Sequence, residues 1–474
     1  MKILLINPPW SLSAAAPINL AELAAYVIAK GYSTEILDLN YEISKLTAKK
    51  SNSKKLMEES LSLISRYSFD LIGITSNIVQ FPVAKELIIQ IKKRYKMPVV
   101  AGGVFAFYNS ELFLGKGLAD YVVRGEGEKV FVNLLNALAC GKDPKKIKGL
   151  SYCQNGKVIN NPPETPIKNL SVLPPPAFNL ISNSILATDR LWLSAGRGCA
   201  YKCSFCSGRD IWQNQKMRPV ESVIEQVKIL KKKYKKNFLV FSDDCLALNK
   251  KWFEIFCAQI KKVKISWGCL TRIDGLDEKT IKMMAASGCV EIYHGIESAS
   301  PKVRKKLNKS LSKNCCTNED ITSNVKLEIS SGIKSICSFI INSPGETQQE
   351  MEQTFSFARG LKALGADTQC WILTSYKGTA IAKKYKTVKF DRWKLLKQRS
   401  IFGINQHCLW GNLINKHFKQ NPDTFILRPK MGLRKFAEFY LKQKAMLEGS
   451  PLTRQDKLGL AFASRTLKVA KKIR

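Results

Sequence analysis

The first 140 residues alternate short apolar runs with longer amphipathic segments. Short apolar runs predict buried strands, and apolar residues spaced three and four positions apart predict helices. The predicted strands span residues 3–6, 33–39, 71–75, 98–101 and 119–123, and the predicted helices span residues 20–30, 54–67, 83–95 and 128–139. This alternation predicts a doubly wound, Rossmann-like α/β domain with a parallel sheet, in which ligands bind at the carboxyl ends of the strands.

A proline-rich segment separates this region from the rest of the chain. Residues 149–156 have the pattern of a β-hairpin that turns at Asn155 and Gly156. Pro162, Pro163 and the prolines at 174–176 then disfavour both helices and central strands. We therefore predict a first domain at residues 1–140, a hairpin and linker at 141–185, a second domain at 186–390 and a mainly helical, basic C-terminal region at 391–474.

The alternation of strands and helices resumes after the linker. The predicted strands span residues 191–194, 238–242, 265–270, 290–294, 335–341 and 368–374, and the predicted helices span residues 220–234, 252–262, 277–287, 318–331 and 349–364. About six β/α units suit a partial (β/α)6 barrel of the TIM type. In parallel barrels the functional residues collect at the carboxyl ends of the strands.

The C-terminal region is rich in aromatic and basic residues and ends in an amphipathic basic segment at 467–474. Its pattern, which includes Trp393, Trp410 and Pro429, predicts several helices that cover the barrel mouth. His407 and Cys408 could suggest a second metal, but they have no partners at metal-ligand spacing. This region is expected to shape a substrate pocket.

Composition and charge limit the classes of partner. The net charge of +38 suggests an anionic membrane surface or nucleic acid. Much of the lysine lies in short runs on predicted helices, as at residues 231–233, so solvated helix faces are the simpler interpretation. No basic segment is interleaved with aromatic residues, which makes nucleic acid an unfavoured partner. We expect a cytoplasmic protein, with an anionic membrane surface as an alternative peripheral location, because the chain shows no signal peptide and no membrane-spanning run.

Fourteen cysteines are scattered mostly singly through apolar runs, which favours reduced thiols over a disulfide framework. Three of them, Cys199, Cys203 and Cys206, instead share one loop after a predicted strand. Three thiolates are one too few for a tetrahedral structural zinc site. They can hold three irons of a four-iron cluster and leave the fourth iron open. The alternative is three reduced structural cysteines.

The Cys-x-x-x-Cys-x-x-Cys spacing, with Phe205 before the last cysteine, resembles the signature of the radical SAM enzymes. In that family the loop holds a 4Fe-4S cluster whose open iron binds S-adenosylmethionine (SAM). The resemblance continues in Gly295–Ile296–Glu297–Ser298, followed by Lys309, and in Pro344–Gly345–Glu346–Thr347. It implies a SAM site that contains Phe205, Asp243, Asp244, Arg272, Glu297, Ser298, Pro344 and Gly345.

Several of these residues have plainer alternatives. Glu297 could be a helix cap, and Arg272 could form a structural ion pair. His294, a weaker candidate together with Ser338 and Asn342, could be a satisfied inward-facing polar group. Many radical SAM enzymes carry a Gly-Gly-Glu-type run where this chain has Asp243 and Asp244, and relatives with a cobalamin domain often have an Asp-Asp run there.

The loops that follow the N-terminal strands resemble those of the cobalamin-binding domain that precedes many radical SAM domains. They carry Asn7–Pro8–Pro9–Trp10, Thr75–Ser76–Asn77, Gly102–Gly103–Val104 and Arg124–Gly125–Glu126–Gly127–Glu128. The resemblance implies a cobalamin site that contains Pro8, Pro9, Ser76, Gly102, Gly103, Gly125 and Glu126. Ordinary α/β turn chemistry is the alternative for each loop taken singly. The three histidines, His294, His407 and His417, all lie outside this region, so no local histidine can bind the cobalt.

The combined resemblance implies a cobalamin-dependent radical SAM enzyme. The most favoured activity is methyl transfer to an unactivated carbon through a 5′-deoxyadenosyl radical and methylcobalamin, and ring formation or rearrangement is the alternative. It also implies a small-molecule or lipid-like substrate and an external electron donor of the flavodoxin or ferredoxin type. A tRNA methylthiotransferase needs three further N-terminal cysteines, whereas Cys140 and Cys153 are the two that precede Cys199. A cofactor-binding sensor would not need the SAM-site motifs.

Overall fold

The computed structural model describes residues 1–9, 15–46, 53–115, 117–309, 317–385, 387–389, 425–427, 429, 431 and 433–449. The described chain forms two compact units. The first comprises Met1–Gly198 and Asp210–Phe238, and the second comprises Cys199–Arg209 and the described residues from Leu239 onward. The four predicted domain ranges stay a prediction. Among the described residues, no helix combines the length and apolarity that crossing a bilayer requires.

The first unit is built on a seven-stranded sheet with the order β2-β1-β3-β4-β5-β6-β7. Its strands are β1 (Lys2–Asn7), β2 (Ser33–Asp38), β3 (Leu71–Thr75), β4 (Val99–Gly102), β5 (Tyr121–Val123), β6 (Leu150–Gln154) and β7 (Lys157–Asn160). The first five strands pair in parallel, and the β6–β7 hairpin adds two antiparallel strands at one edge. All five strands predicted before residue 140 are present, and so is the hairpin.

Helices connect the parallel strands of the first unit. They are α1 (Ile18–Ala29), α2 (Leu39–Leu46), α3 (Ser53–Ile64), α4 (Phe81–Arg94), α5 (Val104–Tyr108), α6 (Ser110–Leu114) and α7 (Gly127–Ala139). The strand predicted to reach residue 39 ends at Asp38, because the Asp38 carboxylate accepts hydrogen bonds from the backbone N–H groups of Asn40 and Tyr41 and so begins α2. Strand β1 is buried from Ile3 onward, as expected of a parallel strand covered on both faces.

The rest of the first unit leads into and out of the cysteine loop. It contains α8 (Ser182–Ala187), β8 (Leu191–Leu193), β9 (Gly196–Arg197), α9 (Arg209–Trp212), β10 (Lys216–Met217) and α10 (Val220–Tyr234). Strands β9 and β10 pair in antiparallel register, Arg197 opposite Lys216. The cysteine loop therefore departs from a two-stranded stem.

The second unit contains five consecutive strands of the partial barrel, in the order β15-β14-β13-β12-β11. They are β11 (Phe238–Phe241), β12 (Ser266–Leu270), β13 (Cys289–Glu297), β14 (Lys334–Ile341) and β15 (Asp367–Ile372). The helices between and after them are α11 (Lys250–Val263), α12 (Glu278–Ala286), α13 (Pro301–Lys306), α14 (Asn318–Ser330), α15 (Gln348–Ala363) and α16 (Ala380–Lys384). With β8, all six strands predicted for this region are present.

The described C-terminal elements are β16 (Thr387–Lys389), β17 (Phe425–Leu427) and α17 (Leu433–Glu448). Helix α17 packs on α15, where Phe355 contacts Phe439 and Tyr440, and the Tyr440 hydroxyl donates to the Cys370 carbonyl at 3.2 Å. Helix α17 therefore packs on the helices outside the sheet. Most of the region expected to cover the barrel mouth lies outside the described residues, so that expectation stays a prediction. Trp10, Trp393, His407, Cys408, Trp410, His417 and residues 467–474 lie outside the described residues.

Candidate functional site

The cysteine loop is fastened to two short helices of the second unit. Ser204 donates from both its N–H and its hydroxyl to the Leu307 carbonyl, at 2.9 and 3.0 Å. The Asn308 amide donates to the Lys202 carbonyl at 2.7 Å, and the Ile381 N–H donates to the Ser204 carbonyl at 3.1 Å. These bonds fix the loop against the end of α13 and the start of α16.

Cys199, Cys203 and Cys206 are all partly exposed and unbridged. Burial raises the pKa of the Cys199 thiol to about 11, so that without a metal the thiol form prevails at neutral pH. Among the described residues, no three His, Cys, Asp or Glu side chains converge closely enough to hold a single metal ion. Each thiolate of a four-iron cluster binds a different iron, so three sulfurs spread along one loop suit a cluster better than one ion.

Arg272 provides a cation beside this loop. Its Nη1 lies 3.8 Å from Cys203 Sγ, and its guanidinium carbon lies 3.8 Å from the centroid of the Tyr201 ring. Its Nε and Nη2 donate to the two carboxylate oxygens of Asp274, at 2.9 and 3.0 Å. Arg272 thus forms the structural ion pair that the sequence left open, and the same pair aims the guanidinium at a candidate iron ligand.

Glu297 forms a buried ion pair with Lys309, with 3.0 Å between Oε1 and Nζ. Burial alone would lower the pKa of Lys309, but the Glu297 carboxylate outweighs burial and raises it. Glu297 has a φ of 72°, next to a register shift between β13 and β14. Glu297 is not a helix cap, because Ser300 accepts from the Val303 N–H and caps α13.

Two candidates on or after β13 point toward the helical layer. The Ser298 hydroxyl lies 3.0 Å from Thr354 Oγ1 on α15. His294 lies 3.0 Å from the Thr271 carbonyl through Nδ1 and 2.8 Å from Glu328 on α14 through Nε2. Both side chains are fully buried, and His294 is the satisfied polar group that the alternative interpretation expected.

Asp243 and Asp244 follow β11, and Asp244 contributes to the electrostatic environment of Cys199. Asp243 is buried. Surrounding protein atoms raise the pKa of Asp244, although its side chain still reaches solvent. The ring of Phe205 is half-buried and packs against a small core of Val303, Leu307, Leu373 and Ile381.

The turn after β14 contains Pro344 and Gly345. Gly345 has a φ of 68°, and Lys306 Nζ lies against it. Burial raises the pKa of Glu346 to about 7, while the Ser343 N–H donates to Glu346 Oε2 at 2.8 Å. Asn342, a weaker candidate, is buried with a φ of 63°, and Ser338 is partly buried within β14.

In the first unit a buried polar network supports the candidate cobalamin loops. Gln80 donates through Nε2 to Asn7 Oδ1 at 2.9 Å and to the Pro8 carbonyl at 3.0 Å. Asn7 donates to Asp38 at 2.8 Å, and Ser184 donates to Asp38 at 2.6 Å. Sequence reasoning missed Gln80 and Asp38, since their partners lie far away in the chain.

The loop after β4 has room beside its backbone. A Cβ on Gly102 would meet no atom within 4 Å, whereas a Cβ on Gly103, where φ is 92°, would lie 2.9 Å from the Ser76 carbonyl. Gly125, with a φ of 90°, also faces open space. The Ser76 hydroxyl donates to the Asn77 carbonyl at 3.0 Å, and Pro9 is buried. Open space beside a glycine backbone fits the close approach of a bulky ligand.

The acidic residues after β5 form ion pairs inside the first unit. Glu126 binds Lys216 at 2.7 Å and accepts from the Ile167 N–H at 2.5 Å. Glu128 binds Arg197 at 2.5 Å. Burial alone would raise the pKa of Glu128, but Arg197 outweighs burial and lowers it.

A third carboxylate completes this buried network. Glu22 binds Arg197 at 3.3 Å and Arg218 at 3.1 Å. The basic partners lie in or next to the β9–β10 stem, so the ion pairs hold that stem against α1 and the start of α7. Sequence reasoning missed these cations.

The structure therefore brings together Cys203, Arg272 and the loop that carries Phe205, and it pairs Glu297 with Lys309. It directs Ser298 away from them, toward α15. The cobalamin candidates collect at the ends of β1, β3, β4 and β5, except that the Glu126 side chain is occupied by Lys216.

Two family models match the chain. The model described as the radical SAM superfamily matches residues 193–358, and the model described as a B12-binding domain matches residues 12–135. The first range includes the cysteine loop and the strand ends up to Thr347. The second range includes the loops after β3, β4 and β5.

Two relatives and one solved structure extend this similarity. A Pyrococcus horikoshii protein named an uncharacterized methyltransferase is 33% identical over 399 residues, covering 80% of this chain and 82% of that protein. The anaerobic magnesium-protoporphyrin IX monomethyl ester cyclase of Rubrivivax gelatinosus is 26% identical over 384 residues, covering 76% of this chain and 66% of the cyclase. The structure of the radical S-adenosylmethionine methyltransferase TsrM from Kitasatospora setae, with cobalamin and a 4Fe-4S cluster bound, has a TM-score of 0.67 at 21% identity, over 80% of this chain and 73% of that chain.

Proposed function

Because this chain belongs to the radical SAM enzymes that carry a cobalamin-binding domain, we propose that it transfers a methyl group to an unactivated carbon of a small organic molecule. Members of this family are enzymes that use a 4Fe-4S cluster, SAM and cobalamin. The observation that carries the proposal is the 33% identity to a protein named a methyltransferase, over a length that spans both cofactor domains.

When bound, these cofactors supply the one-electron cleavage of SAM and a transferable methyl group. The protein must hold them and keep water away. Cys199, Cys203 and Cys206 are the proposed iron ligands. Arg272 stabilises negative charge on Cys203 and, through Tyr201, fixes the shape of the loop.

The proposed SAM site uses the strand-end groups. Glu297, neutralised by Lys309, presents a fixed carboxylate with its second oxygen available to a donor group of SAM. Asp243 and Asp244 are the proposed acceptors for the SAM amine. Phe205, Pro344 and Gly345 would line the adenosine, and Ser298 would contribute through its backbone, because its hydroxyl is bonded to Thr354.

The proposed cobalamin site lies along the strand ends of the first unit. Gly102, Gly103 and Gly125 admit the ligand to the backbone, while Pro8, Pro9 and Ser76 form the neighbouring loops. Glu126 acts on the site indirectly, since Lys216 occupies its side chain.

The partners follow from the chemistry. A radical SAM enzyme requires an external electron donor. We propose a donor of the flavodoxin or ferredoxin type and a substrate that is small or lipid-like. The anionic membrane surface stays a prediction from the net charge, to be tested by pelleting with phosphatidylserine vesicles.

Ring formation is a second candidate. It is favoured by the 26% identity to the Rubrivivax gelatinosus cyclase over 76% of this chain. Both reactions begin with the same cleavage of SAM, so they differ in whether a methyl group enters the product.

The test begins with anaerobic purification in the presence of cobalamin, followed by measurement of iron, sulfide and cobalt per chain. The loaded protein is incubated with SAM that carries a trideuteriomethyl group, a reductant and fractionated small molecules. Methyl transfer predicts 5′-deoxyadenosine together with a product that carries the label. Unlabelled product alongside 5′-deoxyadenosine favours ring formation, and iron without cobalt after reconstitution contradicts both. Cys203→Ala is the control that removes a proposed iron ligand.

A further inference from the structure

One surface of the second unit surrounds the attachment of the cysteine loop. Helix α13 and helix α16 flank the loop and share a small core of Val303, Leu307, Leu373 and Ile381, against which Phe205 packs. The hydrogen bonds from Ser204 and Asn308 fasten the loop to the same helices. The outer surfaces of these segments therefore lie close to the thiols.

These segments carry exposed lysines. We call their side chains the basic face, defined by Lys202, Lys302, Lys305, Lys306, Lys383 and Lys384. Residues 301–309 and 376–385 contain no acidic residue at all. None of the six lysines forms an ion pair with another residue in the part of the chain that the structure describes. Glu346 and Glu350 lie close enough to interact electrostatically with Lys306 and Lys302 but form no ion pair with them, so the face as a whole stays positively charged.

The position of the face matters more than its charge, because basic residues are abundant throughout the chain. A cluster held by Cys199, Cys203 and Cys206 must receive each electron from outside the protein. Electron transfer between proteins requires the two redox centres to lie close, so a donor must dock where the loop nears the surface. Weak electron-transfer complexes use small interfaces and depend on complementary charge for their association rate.

We propose that the basic face is the docking surface for an acidic one-electron carrier protein, which reduces the cluster held by the cysteine loop. The inference rests on the proposed function only in that the loop holds a redox cluster. It concerns electron delivery and is independent of the substrate and of whether a methyl group is transferred.

The test compares two triple variants with the same change of charge. The docking variant is K305E/K383E/K384E, which alters last-turn lysines of α13 and α16. The control variant is K233E/K261E/K262E, which alters last-turn lysines of α10 and α11. Each set includes one lysine that lies over a neighbouring tyrosine ring, so the expected effects on the helices are similar. Lys202 and Lys306 are left unchanged, since they adjoin the cysteine loop and the Gly345 turn.

The reconstituted holoenzymes are mixed anaerobically with a reduced acidic flavodoxin, and cluster reduction is followed by stopped-flow absorbance at several salt concentrations. We expect the docking variant to lower the second-order rate constant by about tenfold or more at low salt and to flatten its salt dependence. The control variant should stay within about twofold of wild type. Cross-linking to the flavodoxin should be lost in the docking variant alone, with or without SAM.

Dithionite separates this proposal from the proposed function. It is a small reductant that needs no docking surface, so it should reduce the cluster and yield 5′-deoxyadenosine equally in all three proteins. Equal loss of flavodoxin-driven reduction in both variants would show a general charge effect and overturn the proposal. Loss of binding to phosphatidylserine vesicles in the docking variant, with an unchanged flavodoxin rate, would assign the face to a membrane and also overturn it.

Discussion

The Arg272 guanidinium stacks on Tyr201, with 3.8 Å between its central carbon and the ring centroid. Tyr201 lies between two candidate iron ligands, and Arg272 also approaches Cys203 Sγ. The stack therefore joins the end of β12 to the cysteine loop. Asp274 fixes the opposite side of the guanidinium, so its orientation does not depend on a bound cofactor.

We predict that R272K lowers the reduction potential of the cluster. Lysine is a point charge that cannot bind Asp274 through two donors and stack on Tyr201 at once. Loss of a hydrogen bond to a cluster sulfur makes reduction harder. A redox titration monitored by electron paramagnetic resonance checks the shift, and Y201F, which keeps the ring, should stay near wild type. An unchanged potential in R272K would mean that Arg272 does not act on the cluster.

A second prediction concerns the space between Gly295 and the Glu297–Lys309 pair. A Cβ on Gly295 would overlap Glu297 Oε1 and lie 3.0 Å from Lys309 Nζ. G295A should displace the carboxylate and weaken SAM binding at least several-fold, as measured by calorimetry on the reconstituted protein. G360A is the matched control, because a Cβ there meets no atom within 4 Å. Equal affinity in the two variants would remove Glu297 from the SAM site.

The same ion pair should matter for folding. K309M leaves the buried Glu297 carboxylate without its cation, which typically costs about 3–5 kcal/mol. The double variant E297Q/K309M removes both charges and should recover much of that loss. Thermal unfolding of the two variants checks the difference, and equal melting temperatures would show that leaving the Glu297 carboxylate unpaired costs little.

The raised pKa of Glu346 predicts that the stability of the protein depends on pH. The pKa of Glu346 is raised to about 7 by burial, against about 4.3 in an unfolded chain, so between these values the folded state holds a proton that the unfolded state lacks. Stability should therefore fall by up to about 4 kcal/mol as pH rises through this window and then level off. E346Q should remove the fall, so that the variant gains melting temperature over wild type at pH 8 but not at pH 4.

Glu350 is the internal control for that experiment. Burial opposes the charge of Glu350, but hydrogen bonds from Thr347 and Ser300 outweigh burial and lower its pKa. Its contribution to stability is present above its unfolded pKa and is lost as pH falls, which is the opposite sign. E350Q should therefore cost more at pH 8 than at pH 4. If E346Q and E350Q changed the melting temperature with the same pH dependence, burial would not raise the pKa of Glu346.

The open space beside Gly102 gives a prediction for cobalamin. A Cβ on Gly102 would meet no protein atom within 4 Å, so we expect folding to tolerate G102L while the added side chain excludes a ligand from the space beside the backbone. We expect cobalt per chain to fall at least severalfold after reconstitution, with iron unchanged. G360L is the control. A variant that still binds a full equivalent of cobalamin would place the ligand elsewhere.

The sequence predicts the fold well because buried parallel strands are continuous apolar runs that end in loops with glycine, proline or acidic residues. The cysteine loop was found because its three ligands are close in the chain. The direction of Ser298 was not predictable, since the register shift between Gly295 and Glu297 changes the side-chain alternation along β13.

Long-range partners were also beyond sequence reasoning. Gln80 reaches the Pro8 carbonyl across 72 positions, and Arg197 reaches Glu128 across 69. No local pattern marks such pairs, because each depends on which strands become neighbours in the sheet. The place of Arg272 at a strand end marks it as a candidate, but the sequence does not predict its contacts with Tyr201 and Cys203.

The buried carboxylates of the first unit limit where the chain can be truncated. A fragment that stops at the proline-rich linker, near residue 185, keeps Glu22, Glu126 and Glu128 and discards Arg197, Lys216 and Arg218. Each acid would lose its basic partner, which is costly for a buried charge. The chain therefore cannot be cut at the linker without unpairing these buried charges, and a truncation or domain swap should extend past Arg218.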